Sequence, residues 1–295
     1  MTLSSGPRKD PPCPCAAPAE ARERLGRALS ECPPRLDLAS LAIAALEDPC
    51  LDEAPVLATL DLIGARVRER CEAMPGASMC ERLGALREVM REEGFTGERQ
   101  AFFCPENSFL QRVLERRKGL PITLGVLYIE VGRRAGIPLF GINFPGHFLA
   151  GATEEGAGED ELFVLDPFHG GRALDQDALE ALLQQMAPEL KLCSALLAPA
   201  PVEQIVWRML SNLRRVYLRE HDAQRALGVV DLMLFLAPDH PGELRTRAAL
   251  NAQLGAFRAA LRDVNRCLEL TPDAPDAAGL RRAQKELSAK AAQVN

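Results

Sequence analysis

The stretch that decides the fold is "GLPITLGVLYIEVGRRAGIPLFGINFPGHFLA", Gly119 to Ala150. Gly-Leu-Pro reads as a turn into a helix, because proline suits a first helical turn, where its missing N–H has no partner to lose. "ITLGVLYIEVGRRAG" is apolar on most sides (Leu124, Val126, Leu127, Ile129, Val131), which predicts a central, buried helix. Gly136-Ile137-Pro138 ends it, and "IPLFGIN" reads as a short strand. After Pro145-Gly146 a histidine, His147, opens a second strand, "HFLAGA". A third, "ELFVLD", closes on Asp166, with the acidic "TEEGAGEDE" as the hairpin loop between them. Upstream, "CPENSFLQRVLERRKG" reads as one helix with Pro105 or Asn107 near its start and Gly119 as its stop. From Cys104 to about residue 170 the chain is therefore an α+β unit, with helices packed on a small antiparallel sheet.

Working outward, the N-terminal side is helical. "RLDLASLAIAALEDP" runs to Pro49, which is disfavoured inside a helix. Val56, Leu60, Ile63 and Val67 fall on one helix face, as do Met79, Leu83, Leu86 and Met90, with Gly94 suited to a C-terminal cap. These faces need a cover, so the region forms a layer rather than separate helices. On the C-terminal side the chain repeats itself. Pro238-Asp239 and Pro272-Asp273 stand 34 residues apart, and at that offset Ala226, Leu227, Val230 and Leu236 match Ala260, Leu261, Val264 and Leu270. This is the second half of a tetratricopeptide (TPR) unit. Leu210, Leu213 and Tyr217 fit the first helix of the first repeat, whereas Arg247 stands at an expected apolar place in the second. Two repeats are too few to stand alone and must borrow a neighbour. The expected division is a Pro/Ala/Cys-rich disordered tail over 1–22, a helical region over 23–100, the α+β core over 101–200 and two TPR-like repeats over 201–290.

Composition is that of an ordinary globular protein, 47% hydrophobic and 26% charged, with a net charge of −6 that gives no support for a nucleic-acid surface. No run approaches the roughly 18 apolar residues of a membrane span, and the N-terminus lacks the apolar core of a secretory signal, so a cytoplasmic location is expected. Nine scattered cysteines, with no Cys-x-x-Cys pair, predict neither disulfides nor a zinc site; most read as small buried hydrophobes. No cofactor motif is present.

The chemistry lies in the middle unit. His147, opening one strand, and Asp166, closing the next before Pro167, are placed so that adjacent strands could bring them together. A carboxylate on one imidazole nitrogen fixes the tautomer and frees the other as a general base. A nucleophile at the start of the buried helix would complete the set. Helix, "GIP", strand, His, strand, "DP" resembles the transglutaminase-like (papain-like) fold. More narrowly, "NSFLQRVLERRKGLPITLGVLYIEVGRRAGIPLFGINFPGHFLA" with "LDPFHGG", and "LASLAIAALEDPCLDEAPVLATLDLIGARV" upstream, resembles the bacterial SirB-type family over about residues 36 to 280. That resemblance implies a helical N-terminal region, a transglutaminase-like core and C-terminal TPR repeats. It puts His147 and Asp166 at the enzyme fold's histidine and aspartate. The cysteine does not carry over: its place falls near Pro121, and Thr123 is the nearest hydroxyl. Cys104 precedes a helix, but the wrong one.

His147 and Asp166 have three readings: a polar pair that satisfies itself, a relic cleft for an extended peptide or small ligand, and a metal site with His169. Because "DPFHGG" reads as a loop, helical geometry does not present Asp166 and His169 together, and no metal ligands are expected. Arg116-Arg117-Lys118 and Arg133-Arg134 each end a helix, where cations suit the dipole; a functional patch would need them to converge. His221 and His240 read as solvated helix ends. The function expected is that of a non-catalytic protein-interaction or regulatory factor, taking a protein or peptide through the TPR groove and the relic cleft. The alternative is a hydrolase or acyl-transfer enzyme using Thr123 with His147 and Asp166.

Overall fold

The computed structural model describes residues 17–154 and 161–293. The first helix, α1 (Ala17–Ser30), begins inside the segment expected as a tail, with Ala21, Leu25 and Ala28 buried. The rest of that segment, with Cys13 and Cys15, lies outside the described residues. Helix α2 (Leu36–Ala44) is buried on nearly every side and stops short of Pro49. Helices α3 (Ala54–Glu72) and α4 (Met79–Glu92) bury Leu60, Ile63 and Val67, and Met79, Leu83, Leu86 and Met90, on the faces the spacing predicts. Ser78 and Glu81 form a reciprocal capping box at the start of α4, and Gly94 takes φ +80° just past its end.

The next element departs from expectation. The predicted single helix is broken into a 3₁₀ turn (Pro105–Ser108) and a short α5 (Leu110–Arg116), with Phe109 extended between them. Asn107 causes the break: its amide donates to Ala101 O at 2.6 Å and its Oδ1 accepts from Arg116 at 2.9 Å, so it serves the turn instead of a helix. The stop is Arg117, in the left-handed region at φ 59°, and not Gly119. Lys118–Gly119 (β2) instead pairs in parallel with Thr96–Gly97 (β1). Helix α6 (Pro121–Ala135) follows, buried over most of its length and ended by Gly136 at φ +74°.

The main sheet is antiparallel in the order β3 (Phe140–Ile142), β4 (Leu149–Glu154), β5 (Glu161–Asp166) and β6 (Arg172–Leu174). Its register pairs Ile142 with Leu149, Ala150 with Leu165 and Asp166 with Arg172. The fourth strand was not legible in the sequence. Helix α7 (Gln176–Met186), capped by Asp175, covers a smaller core of Ile142, Phe144, Leu149, Val164, Leu179 and Leu183.

Helices α8 (Val202–Arg219), α9 (Ala223–Leu236), α10 (Pro241–Gln253), α11 (Phe257–Leu270) and α12 (Ala277–Gln293) form the repeat region. The repeated positions Ala226 and Ala260, and Val230 and Val264, are buried as pairs. Arg247 at its apolar position is explained by two partners: it reaches Asp231 at 3.0 Å and grips both oxygens of Asp263 at 2.9 and 2.7 Å. The repeats do borrow a neighbour. One continuous apolar core runs from Ala21 on α1 through α2, α6 and α8 to Cys267 on α11.

The cysteines correct an expectation. Of those described, Cys32, Cys50, Cys80 and Cys193 are exposed and only Cys267 is buried; all are free thiols. The exposed four sit in connections or on the outer side of a helix start, away from the apolar faces.

Candidate functional site: a histidine–aspartate–histidine cluster

The site is built where the sheet meets α6. His147 sits in the turn between β3 and β4, after Gly146 at φ +66°, and Asp166 is the last residue of β5. Both are buried, at 4% and 3% exposure. His147 Nε2 lies 2.9 Å from Asp166 Oδ1, the pairing that the strand order predicts. The same Oδ1 accepts from the backbone N–H groups of Phe168 and His169 at 3.1 and 3.4 Å. Burial pushes the Asp166 carboxyl up, but the hydrogen bonds and charges of His147 and His169 outweigh it and hold the group below its ordinary value.

His169 is the residue that sequence reasoning set aside. "DPFHGG" is not an open loop: Pro167–His169 is a 3₁₀ turn with Asp166 as its N-terminal cap. With three residues per turn, positions i and i+3 eclipse. His169 Nδ1 therefore meets Asp166 Oδ2 at 2.6 Å, from the solvent side, with its own side chain 42% exposed. The signal was the Asp-Pro pair itself, since an aspartate before a proline favours turn initiation. The two imidazoles lie 6.1 Å apart at 29°, with Phe168 edge-on to both. Phe168 is wedged on β1, where a Cβ at Gly97 would come within 2.6 Å of its ring.

Behind Asp166 stands a second polar group. The Tyr128 hydroxyl, on buried α6, and Arg87 Nε have no hydrogen-bond partner among the described residues. A Cβ at Gly171 would fall 2.9 Å from the Tyr128 oxygen. Burial raises the Tyr128 phenol well above its ordinary value.

Thr123 is placed elsewhere. It is fully buried in the first turn of α6, where its Oγ1 accepts from Leu120 N at 2.9 Å and donates to Asn107 O at 2.8 Å. Its one proton is committed to the turn before α5, and no hydrogen bond among the described residues joins it to His147. Pro121 opens the helix beside it. Cys104 lies before the 3₁₀ turn, off α6; burial first, then its hydrogen bond to Glu106, pushes its thiol up, the wrong direction for a nucleophile.

The basic clusters are each absorbed separately. Arg116 binds Asn107, Arg117 pairs with Glu93 at 3.0 Å and Lys118 approaches Glu98 at 3.9 Å. Arg133 and Arg134 share Glu130 and Asp37, and Arg134 also takes Asp61. His240 caps α10, its Nδ1 accepting from Glu243 N at 3.2 Å, while His221 is exposed at φ 59°.

A family profile described as "Transglutaminase-like superfamily" matches residues 54–211, the span that holds α6, the sheet and the histidine–aspartate pair. The chain belongs to that superfamily. A "Tetratricopeptide repeat" profile matches residues 213–284 of this transglutaminase-like protein. It is 40% identical over 190 residues to a UPF0162 protein of Xylella fastidiosa, covering 63% of this chain and 66% of that one. A UPF0162 protein of Pseudomonas aeruginosa is 34% identical over 249 residues, 83% of this chain and 88% of the relative. Protein SirB1 of Salmonella typhimurium is 28% identical over 185 residues, 62% and 67% of the two chains. The transglutaminase-like core followed by TPR helices is thus the SirB-type arrangement. Among the described residues no helix is long and apolar enough to cross a membrane.

Proposed function

We propose that this protein is a non-catalytic member of its superfamily that acts as a protein-interaction or accessory factor. The observation that carries the reading is the state of the α6 N-terminus. By the resemblance to the fold the nucleophile's place falls near Pro121, which carries no nucleophile, and the neighbouring hydroxyl spends its proton on Asn107 O at 2.8 Å. An acyl-transfer enzyme needs a nucleophile within hydrogen-bond reach of its base, about 3 Å; Thr123 faces away from that role. His147 and Asp166 then serve to tie β5 to the turn before β4.

The repeat region supplies a surface of the right kind. A cleft of about 760 Å³ lies between α1 and the repeat helices α9 and α10, lined by Arg22, Glu23, Asp231, Phe235, Pro238 and Arg247. Arg22 lies over the Phe235 ring at 5.0 Å, giving an apolar floor with charges of both signs around it. Such a groove suits an extended peptide or a partner helix.

Two measurements test the reading. The purified protein is expected to show no turnover of peptide amide or ester substrates; hydrolysis abolished by both Thr123→Ala and His147→Ala would establish the altered-nucleophile enzyme instead. In affinity capture, a defined partner retained by the native chain and lost with Arg22→Glu supports the interaction role. Identical recovery with and without that substitution removes this cleft from it.

A further inference from the structure

We infer that His147, Asp166 and His169 form a binding site for a divalent transition-metal ion of the zinc class. One ligand atom from each of the three lies within 4.8 Å of the other two. Both imidazoles already face the carboxylate, each at its own oxygen: His147 Nε2 lies 2.9 Å from Asp166 Oδ1, and His169 Nδ1 lies 2.6 Å from Asp166 Oδ2. Two ligands each about 2.1 Å from one ion sit about 3.0–3.4 Å apart, so an ion would draw the two rings in around the carboxylate that both already face.

The donor set fixes the class of ion. Two imidazoles and a carboxylate suit zinc or ferrous iron, whereas calcium and magnesium favour all-oxygen shells. Three protein ligands leave a coordination position open. His169, whose side chain is 42% exposed, marks the way in from solvent, while His147 and Asp166 are buried on the inner side.

The frame is already set for such an ion. Asp166 is oriented by two backbone N–H groups and sits at the end of a paired strand. Pro167 fixes the start of the turn, and Gly170 and Gly171, at φ +70° and +72°, fix its exit. Orientation of this kind by outer contacts is what holds metal ligands in place. Coordination through Nε2 of His147 and Nδ1 of His169 puts each ring's proton on its other nitrogen. The ion thereby replaces the two hydrogen bonds that the imidazoles now make to Asp166. The inference does not depend on whether the protein has a catalytic or an interaction role.

The test is a titration of the chelator-treated full chain with Co²⁺, followed by absorption and then by displacement with Zn²⁺. The exposed thiols are the competing ligands, and the spectrum separates them. Visible ligand-field bands without a near-ultraviolet thiolate charge-transfer band, removed by Zn²⁺, are the expected result. His169→Ala, at a half-exposed ring, is expected to keep the far-ultraviolet circular dichroism and weaken Co²⁺ binding at least about 10-fold. His169→Gln serves as a second variant should the first fail to fold. Absence of ligand-field bands at saturating Co²⁺, a thiolate band in their place, or unchanged binding in the His169 variant each overturns the assignment.

Discussion

Thr123 shows how one side chain can be read for two incompatible jobs. Its position suggests a nucleophile, but its hydroxyl is buried, with its acceptor and donor capacity both used inside the fold. Thr123→Val keeps the shape and strands Leu120 N–H and Asn107 C=O together. Leaving buried polar groups unpaired costs about 2 kcal/mol, and a urea melt is expected to show a loss of that order. Thr123→Ser, which keeps the oxygen, should lose less than the valine variant. A serine variant that loses more than the valine variant would mean the methyl group, not the hydrogen bonds, matters there. At this scale His147 and Asp166 were legible because strand order alone brings them together. His169 was not, because its placement depends on a local 3₁₀ turn that the apolar pattern does not encode.

At the scale of elements, the helices were legible wherever an apolar stripe repeats, as on α3 and α4, and lost where a polar side chain overrides the pattern. Asn107 split one predicted helix, and three-residue β6 carried too little pattern to be read. The same competition between local preference and packing makes a paired prediction. Gly125 lies inside α6, where alanine is favoured by about 1 kcal/mol. A Cβ there, however, would meet the Phe148 ring at 2.3 Å. Phe148 follows His147 directly and is fully buried, so neither side can yield cheaply. Gly125→Ala is expected to destabilise by about 1–3 kcal/mol, the usual cost of overpacking. Gly84, inside α4, has nothing within 4 Å of the added atom. Gly84→Ala is expected to gain about 1 kcal/mol from the same propensity. Thermal melts of the two variants moving in the same direction would contradict this account.

Across the whole molecule, the least legible feature is an ionic knot that links the N-terminal layer to the core. Asp37 on α2 is bound by Arg35 at 2.9 Å and by Arg134 of α6 at 2.7 Å, and Arg134 also reaches Asp61 of α3 at 2.6 Å. Burial pushes Asp37 up, but hydrogen bonds from Arg35 and Arg134 win and lower it from 3.8 to about 2. A carboxyl depressed in the folded state stabilises the fold above its unfolded value and ceases to do so as pH falls through its folded one. The contribution of Asp37 is thus complete above about pH 4 and is lost between there and about pH 2. Asp37→Asn is expected to lower stability at neutral pH and to flatten that part of the acid limb. The chain's only tryptophan, Trp207 on α8, reports the transition through the shared core. An unchanged slope between pH 4 and 2 would place the acid sensitivity elsewhere.

That shared core also sets a timetable. Helix α1 packs on α2 and also leans on α9, where a Cβ at Gly26 would come within 3.4 Å of the Phe235 ring, so that part of its cover arrives some two hundred residues later in the chain. At the ribosome, about 5–20 residues are added each second. The part of α1 that meets α9 therefore waits on the order of tens of seconds before that partner exists. Contacts of such long sequence separation also form slowly once both ends are free. The α9-facing side of α1 is consequently an apolar surface left open during synthesis, where a chaperone could bind.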